Sequence, residues 1–263
     1  MNLRRSDEVI EHPLGRIAVT RLQHADAPDR PWLVFLHEAL GSIAMWKDIP
    51  EALARATGCH AFSYDRLGHG RSDPLPDELA DGTYLARESL EILPFVLKQA
   101  QLEDVILVGH SDGGTIALLG ATVLGGRARA IVTEAAHVLV EPETLAGIIA
   151  TTTAADVATL KQKVARYHEQ DIEPIFSRWP RVWLSEPFRN WNIEQELATI
   201  RCPTLVIQGT GDEFGTARQV DAIAAACSGP VETLLIEDCG HVPHFQARDV
   251  WLDKVKDFVN RTL

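Results

Sequence analysis

An α/β fold, with a mostly parallel sheet covered by helices on both faces, is what this chain predicts, on three observations. From Trp32 onward apolar runs alternate with helical patterns: WLVFLHE, MWKDIPEALARAT, HAFSYD, YLARESLEILPFVLKQAQ, VILVGH. Alternation of that kind makes parallel strands joined by crossover helices. The run DVILV enters GHSDGG at Gly109 to Gly114 and leaves as TIALLGATVL, a strand, a tight turn and a helix. Finally, 263 residues with 46% hydrophobic side chains bury a large core in one domain, so no second domain is needed.

Each element follows from its local pattern. EVIEHPLGRIAVTRLQ reads as a hairpin of two strands ahead of the alternation, which makes the sheet mixed. Pro94 falls inside a helical pattern and is expected to kink or divide it, because proline lacks the amide that a helix interior uses. ARAIVTEAA, PTLVIQG and VETLLIEDC supply the later strands. Val220, Ile223, Ala224 and Cys227, and then Trp251, Val255, Phe258 and Val259, keep helical spacing and read as faces packed on the sheet. One stretch breaks the alternation: between Ala136 and Pro203 the composition is helical and no convincing strand appears.

The turn at Gly109 to Gly114 carries the chemistry. A serine at the apex of a strand-to-helix turn adopts a strained backbone, tolerated only when the residues two positions away on each side are small, here Gly109 and Gly113. The strain lifts the Ser111 hydroxyl clear of the sheet and aims the amide of Asp112 at the same space. An acid and then a histidine each sit just past a later strand, Asp212 after PTLVIQG and His241 after VETLLIEDC. Upstream, WLVFLHEALGS and HAFSYDRLGHGRSD are strands that run into glycine-punctuated loops.

With these motifs in order, the chain resembles the α/β-hydrolase-fold serine hydrolases: G-H-S-D-G at Gly109 to Gly113, D-R-x-G-x-G-x-S at Asp65 to Ser72, G-x-x-D at Gly209 to Asp212 and G-H-x-P-H at Gly240 to His244. The resemblance implies an eight-stranded mixed sheet flanked by helices, with residues 1–137 and 197–263 as the core and 138–196 as a helical cap inserted after strand 6. It implies Ser111 as nucleophile, His241 as base and Asp212 as the acid that orients it, with the amides of Ala39 and Asp112 as oxyanion donors. Glu213 is the rival for the acid, and Glu134, past the sixth strand, an alternative. The Asp after the nucleophile is similar to the biphenyl-hydrolase-like branch, which includes valacyclovir hydrolase and acts on amino-acid esters.

Around that set the remaining polar residues take supporting readings. His37 braces the oxyanion loop, His69 shapes the site from behind, His110 packs, and His244 supports the loop of His241. His137, where strand 6 hands over to the cap, faces the pocket. The cap segment RWPRVWLSEPFRNW brings Trp179, Trp183, Phe188 and Trp191, of which Trp179 and Trp183 are assigned to an apolar substrate pocket. Where the family usually has glycine after the strand-three histidine, this chain has Glu38. Glu38 is expected either to pair with Arg66 or Arg71 or to meet substrate, and of the two carboxylates Glu38 and Asp112 the second is favoured for substrate contact.

Composition sets the outer limits. A formal charge of −12 argues against nucleic acid and for a small-molecule substrate. Cys59, Cys202, Cys227 and Cys239 show neither metal-ligand spacing nor a disulfide framework, so they read as reduced thiols in a cytoplasmic protein. The opening MNLRRSDEVIEHPLG has two arginines but no apolar run after them, and no stretch is apolar enough to span a membrane. No cofactor and no metal is expected. The function expected is cleavage of a small carboxylic ester, thioester or lactone through an acyl-serine. The alternatives are a C–C bond hydrolase or cofactor-free dioxygenase on the same triad, and a slow or non-catalytic ligand receptor.

Overall fold

A computed structural model describes residues 3–25, 29–79 and 81–263. An eight-stranded sheet runs in the order β1-β2-β4-β3-β5-β6-β7-β8. Its strands are β1 (Leu3–His12), β2 (Gly15–His24), β3 (Trp32–Leu36), β4 (His60–Tyr64), β5 (Val105–His110), β6 (Ala128–Glu134), β7 (Thr204–Gly209) and β8 (Val231–Ile236). β1 and β2 form the expected hairpin, closing from His12↔Gly15 to Leu3↔His24, and β2 meets β4 antiparallel. All pairings from β4 to β8 are parallel.

Alternate residues of the buried strands feed two cores. On one face Val34, Leu107, Ile131 and Val206 pack with α3 (Leu93–Gln99), α4 (Asp112–Leu124) and α8 (Ala217–Ala226). On the other, Leu33, Phe35, Ile106, Val132 and Leu205 pack with Leu53 of α1 (Ile49–Thr57) and with Trp251, Val255 and Phe258 of α10 (Arg248–Thr262). The period-two switch along each strand is what puts neighbours on opposite faces. Both stripes expected to pack on the sheet supply buried residues, Val220 and Ile223 in one and Trp251, Val255, Phe258 and Val259 in the other.

Pro94 divides its helix as expected. A short α2 (Tyr84–Arg87) passes into a π-helical turn at Glu88–Ile92, and α3 resumes with Pro94 in its first turn. The wider turn accommodates a residue that cannot donate to the carbonyl four positions back.

Between β6 and β7 the chain forms α5 (Pro142–Thr153), α6 (Val157–Ala165) and α7 (Glu173–Trp183) and no strand. An isolated bridge, Leu139↔Asn192, ties the two ends of this insertion together. A small cluster of its own, Val164, Ile172, Ile175 and Phe176, packs against Leu40 of the loop after β3. The last helix before α10, α9 (Pro243–Gln246), follows the loop that carries His241.

Candidate active site

Ser111 sits between β5 and α4 with φ 53° and ψ −118°, a left-handed backbone that a non-glycine residue adopts only under constraint. The flanking glycines are required by contact. A β-carbon at Gly109 would collide with the carbonyl of Gly113, and one at Gly113 with the carbonyl of Leu36. Any larger side chain at either position would push the turn off the sheet, so the strained serine and the two glycines form one unit.

The three expected triad members converge. His241 Nε2 lies 3.0 Å from Ser111 Oγ, and His241 Nδ1 lies 2.9 Å from each oxygen of Asp212. Asp212 also accepts from Gln208 Nε2 at 2.6 Å and from the Phe214 amide at 2.8 Å, so its orientation is fixed from three sides. With Nδ1–H donated to the carboxylate, Nε2 is left to accept from the serine hydroxyl. Burial alone lowers the pKa of His241, but the hydrogen bond and charge of Asp212 outweigh it and leave the value raised above 6.5. Glu213 borders the cavity and makes no hydrogen bond with His241, while Glu134 pairs with His244, through its ring Nδ1 and its amide. Asp212 is therefore the acid that touches the histidine.

Ala39 and Asp112 border the same cavity, and the backbone amide of neither donates to another described residue. The loop that carries Ala39 is held by buried polar groups. Asp65 accepts from the Ile43 amide at 2.6 Å and the Arg71 amide at 3.0 Å. His37 donates Nδ1–H to the Glu38 carbonyl at 2.8 Å while its Nε2 accepts from the Arg66 amide at 3.1 Å. His69 lies between the carbonyls of Leu67 and Ala39, at 3.1 and 3.0 Å. Burial holds the pKa values of both His37 and His69 well below 6.5, so the loop rests on neutral rings.

The pairing alternative for Glu38 and the substrate role favoured for Asp112 are corrected. Glu38 pairs with neither Arg66 nor Arg71. Arg66 reaches Glu38 only through its carbonyl, at 2.7 Å, and Arg71 pairs with Asp7 and Asp65. The Glu38 side chain curls back over Gly41, which has no β-carbon to obstruct it, and its carboxyl, pushed up in pKa by burial, borders the cavity. Asp112, favoured above for substrate contact, spends its carboxylate internally. Arg66 Nη1 stands 3.4 Å from Asp112 Oδ2, and Tyr84 donates its hydroxyl to the same oxygen at 2.8 Å. Trp183 Nε1–H in turn donates to the Tyr84 hydroxyl at 2.9 Å. A carboxylate already bound by a buried guanidinium and a phenol has little left to offer a ligand.

A cavity of about 360 Å³ opens over Ser111. Glu38, His137, Glu213 and His241 form its polar side, and Ile148, Leu160, Val164, Trp179 and Trp183 of α5 to α7 its apolar side. Trp179 and Trp183, assigned from the sequence to an apolar substrate pocket, both line this cavity. Phe188 and Trp191 do not line it: their rings stack 5.2 Å apart and pack edge-on to Trp183 at 4.9 and 5.7 Å, holding the tryptophan from behind. His137 donates Nε2–H to the Phe214 carbonyl at 2.9 Å. Phe214, which the sequence reading missed, presses edge-on against His241 at 4.7 Å.

His168 was also missed. From the α6–α7 connection its Nδ1 accepts from the Gly70 amide at 2.9 Å and its Nε2–H donates to the Leu40 carbonyl at 3.0 Å. The next two residues continue the contact, the Glu169 amide to the Gly70 carbonyl at 2.8 Å and Gln170 Nε2 to the Ser72 carbonyl at 2.8 Å. No local pattern marks these residues, since the partners lie about a hundred positions away.

His110, Glu134 and His244 bring ligand-type atoms within 4.8 Å of one another. In the structure these atoms serve as a bracket: His244 donates to Glu134, and His110 donates Nε2–H to the His241 carbonyl at 2.8 Å. The four cysteines are free thiols. Among the described residues no helix is long and apolar enough to cross a membrane.

The chain is 34% identical over 94 residues to the proline iminopeptidase of Lactobacillus delbrueckii subsp. lactis, covering 36% of this chain and 32% of that one. It is 36% identical over 92 residues to the 2-succinyl-6-hydroxy-2,4-cyclohexadiene-1-carboxylate synthase of Shigella flexneri, covering 35% and 32%. These matches span about a third of each relative. Among solved structures, the enol-lactonase from Burkholderia xenovorans LB400 superimposes with a TM-score of 0.73 at 19% identity, covering 96% of this chain and 99% of its own. The 2-hydroxy-6-oxo-6-phenylhexa-2,4-dienoate hydrolase from Rhodococcus sp. strain RHA1 does so with a TM-score of 0.78 at 13% identity, covering 98% and 99%. At these identities the likeness is one of fold. The family model described as the alpha/beta hydrolase family matches residues 33–253, and the chain belongs to that family.

Proposed function

We propose that this protein is a serine hydrolase that cleaves a small carboxylic ester, thioester or lactone through an acyl-serine intermediate. The observation that carries the reading is the unbroken relay from Ser111 through His241 to Asp212, beside two amides with no other acceptor. In the first half-reaction Ser111 Oγ attacks the carbonyl carbon as its proton passes to His241 Nε2. The oxyanion that forms lies against the Ala39 and Asp112 amides, and the leaving alkoxide or thiolate departs with the proton from His241. In the second, water gives its proton to His241 as it attacks the acyl carbon, and the bond from that carbon to Ser111 Oγ then breaks as Oγ takes the proton back from His241. Asp212 holds the imidazole in the tautomer that both halves need.

Residues 138–196 serve in this reading as a cap. The three helices close an apolar wall over the nucleophile, which excludes water and selects a substrate with an apolar body.

A panel of p-nitrophenyl esters, aminoacyl esters, acyl-CoA thioesters and lactones, combined with fluorophosphonate labelling, tests the reading. Wild type is expected to turn over at least one class and to be labelled. Ser111→Ala is expected to lose several orders of magnitude in turnover and all labelling while keeping its fold, and an active or labelled Ser111→Ala protein overturns the acyl-serine mechanism.

A further inference from the structure

Beside the main cavity lies a second hollow of about 50 Å³, and the two share Ala39, Asp112 and Trp179 in their walls. The shared residues include both amides that face the scissile carbonyl. Both cavities are walled largely by apolar side chains, Leu67, Leu75, Ile92 and Ile175 among those of the hollow, but the hollow is also lined by three arginines, Arg66, Arg87 and Arg178, and two acids, Asp112 and Glu88.

Four of these five charges are spoken for. Arg66 pairs with Asp112. Arg87 donates to the Leu79 carbonyl at 2.6 Å and the Thr83 hydroxyl at 2.8 Å and pairs with Asp81 at 3.5 Å. Glu88 accepts from the Tyr64 hydroxyl at 2.7 Å, and Asp112 is taken by Arg66 and Tyr84. Arg178, on α7 next to Trp179, has no hydrogen bond and no ion pair with any described residue, and its Nε is buried without an acceptor. Burial and the nearby charges of Arg181 and Arg66 all make its own charge unfavourable, with Asp77 and Tyr84 acting weakly the other way. Arg178 is half-buried, and a guanidinium does not escape such a setting by losing its proton, so an anion in the hollow would compensate the charge on the side that water does not reach.

We propose that Arg178 and this hollow form an anion subsite, and that the substrate of the site described above carries a carboxylate away from the carbonyl that Ser111 attacks. The proposal rests on the hydrolase reading and narrows its substrate class. Size selects the anion. A water-sized guest needs roughly 10 to 15 Å³ of such space, so about 50 Å³ admits a group of three or four heavy atoms, which suits a carboxylate better than a phosphate. The planar fork of the guanidinium matches the two oxygens of a carboxylate in a bidentate contact.

Half-esters of short dicarboxylic acids, and esters carrying the carboxylate on the alcohol side, each compared with an uncharged isostere, test it through the charged-to-neutral ratio of kcat/KM. That ratio is internal to each variant, so a general loss of fold or activity cancels. In wild type one of the two series is expected to favour the charged member by roughly tenfold or more, mainly through KM. Arg178→Met is expected to abolish the preference, and Arg178→Lys to retain part of it. Equal rates for charged and neutral members in both series, or a preference that survives Arg178→Met, overturn the subsite. Calorimetric titration of the Ser111→Ala protein with the same half-esters separates this outcome from failure of the hydrolase reading. Binding that depends on Arg178 without any turnover retains the subsite and removes the mechanism, whereas turnover of neutral esters without any charge preference does the reverse.

Discussion

Arg66 and Asp112 form an ion pair 3.4 Å apart with 6% and 3% of their side chains exposed, directly beside the nucleophile. The pair turns the residue after the serine from a substrate contact into a structural one. Asp112→Asn leaves the buried Arg66 charge with half its partner, and breaking a buried pair in this way costs about 3 kcal/mol or more. Thermal unfolding is expected to fall by about 10 °C for a chain of this size. The ratio of rates on α-amino esters and their des-amino analogues is expected to stay the same, because the amide that serves the oxyanion is unchanged. A collapse of that ratio with unaltered Tm contradicts the structural role.

The pH profile of kcat/KM follows from His241. The imidazole accepts the Ser111 proton only when neutral, so activity falls as pH drops through its pKa, and Asp212 holds that pKa above the ordinary 6.5. The acid limb is therefore expected to have its midpoint above pH 6.5. Glu38 is among the charges that favour the imidazolium, so Glu38→Gln is expected to move the limb to lower pH. Rate measurements from pH 5 to 9 on both proteins check the sign.

Asp212 touches His241 and Glu134 touches His244 three residues on, and their loss is expected to differ in kind. Asp212→Asn removes the acceptor that fixes the His241 tautomer and is expected to cost about a thousandfold or more in kcat. Glu134→Gln weakens the hold on His244, which shows chiefly as a loss of stability of about 1 to 3 kcal/mol. The reverse ranking in kcat places the acid on the sixth strand.

The His168 contacts make the link between the inserted helices and the oxyanion loop sensitive to acid. Burial lowers the His168 pKa below 6.5, and the neutral ring is the form that accepts the Gly70 amide. Folded His168 thus binds its proton more weakly than the unfolded chain does, and its contribution is intact above the ordinary pKa and lost as pH falls through the folded value. His37 and His69, depressed in the same way, act in the same direction. Hydrogen exchange in segments 38–43 and 66–72, corrected for the intrinsic rate, is expected to quicken between pH 7.5 and pH 5, and His168→Leu is expected to show the fast rate at both.

What the sequence disclosed and what it concealed divide along the range of the interactions. Gly109, Ser111 and Gly113 are legible because the turn's requirements are met within five residues, and the strand runs because their pattern is local. Asp212 and His241 are legible by their position just past a strand. Arg66, Tyr84, Asp112 and Trp183 join only when four separate segments meet, and no spacing announces that chain of hydrogen bonds. The same holds for His168 and Phe214. Glu38 was legible as an oddity, but the direction of its side chain is a rotamer choice made by the space over Gly41, which a linear reading does not contain.

That space makes positions 38 and 41 interdependent. A methyl group at Gly41 would coincide with the Glu38 carboxylate, so alanine is admitted there only if the glutamate swings away or is replaced by something shorter. Single substitutions at the two positions therefore have no independent meaning: the same Gly41→Ala change is a clash in this background and a minor adjustment in one with glycine at 38. A library that randomises one position alone samples a landscape whose slope is set by the other, and the oxyanion loop is best redesigned with the two changed together.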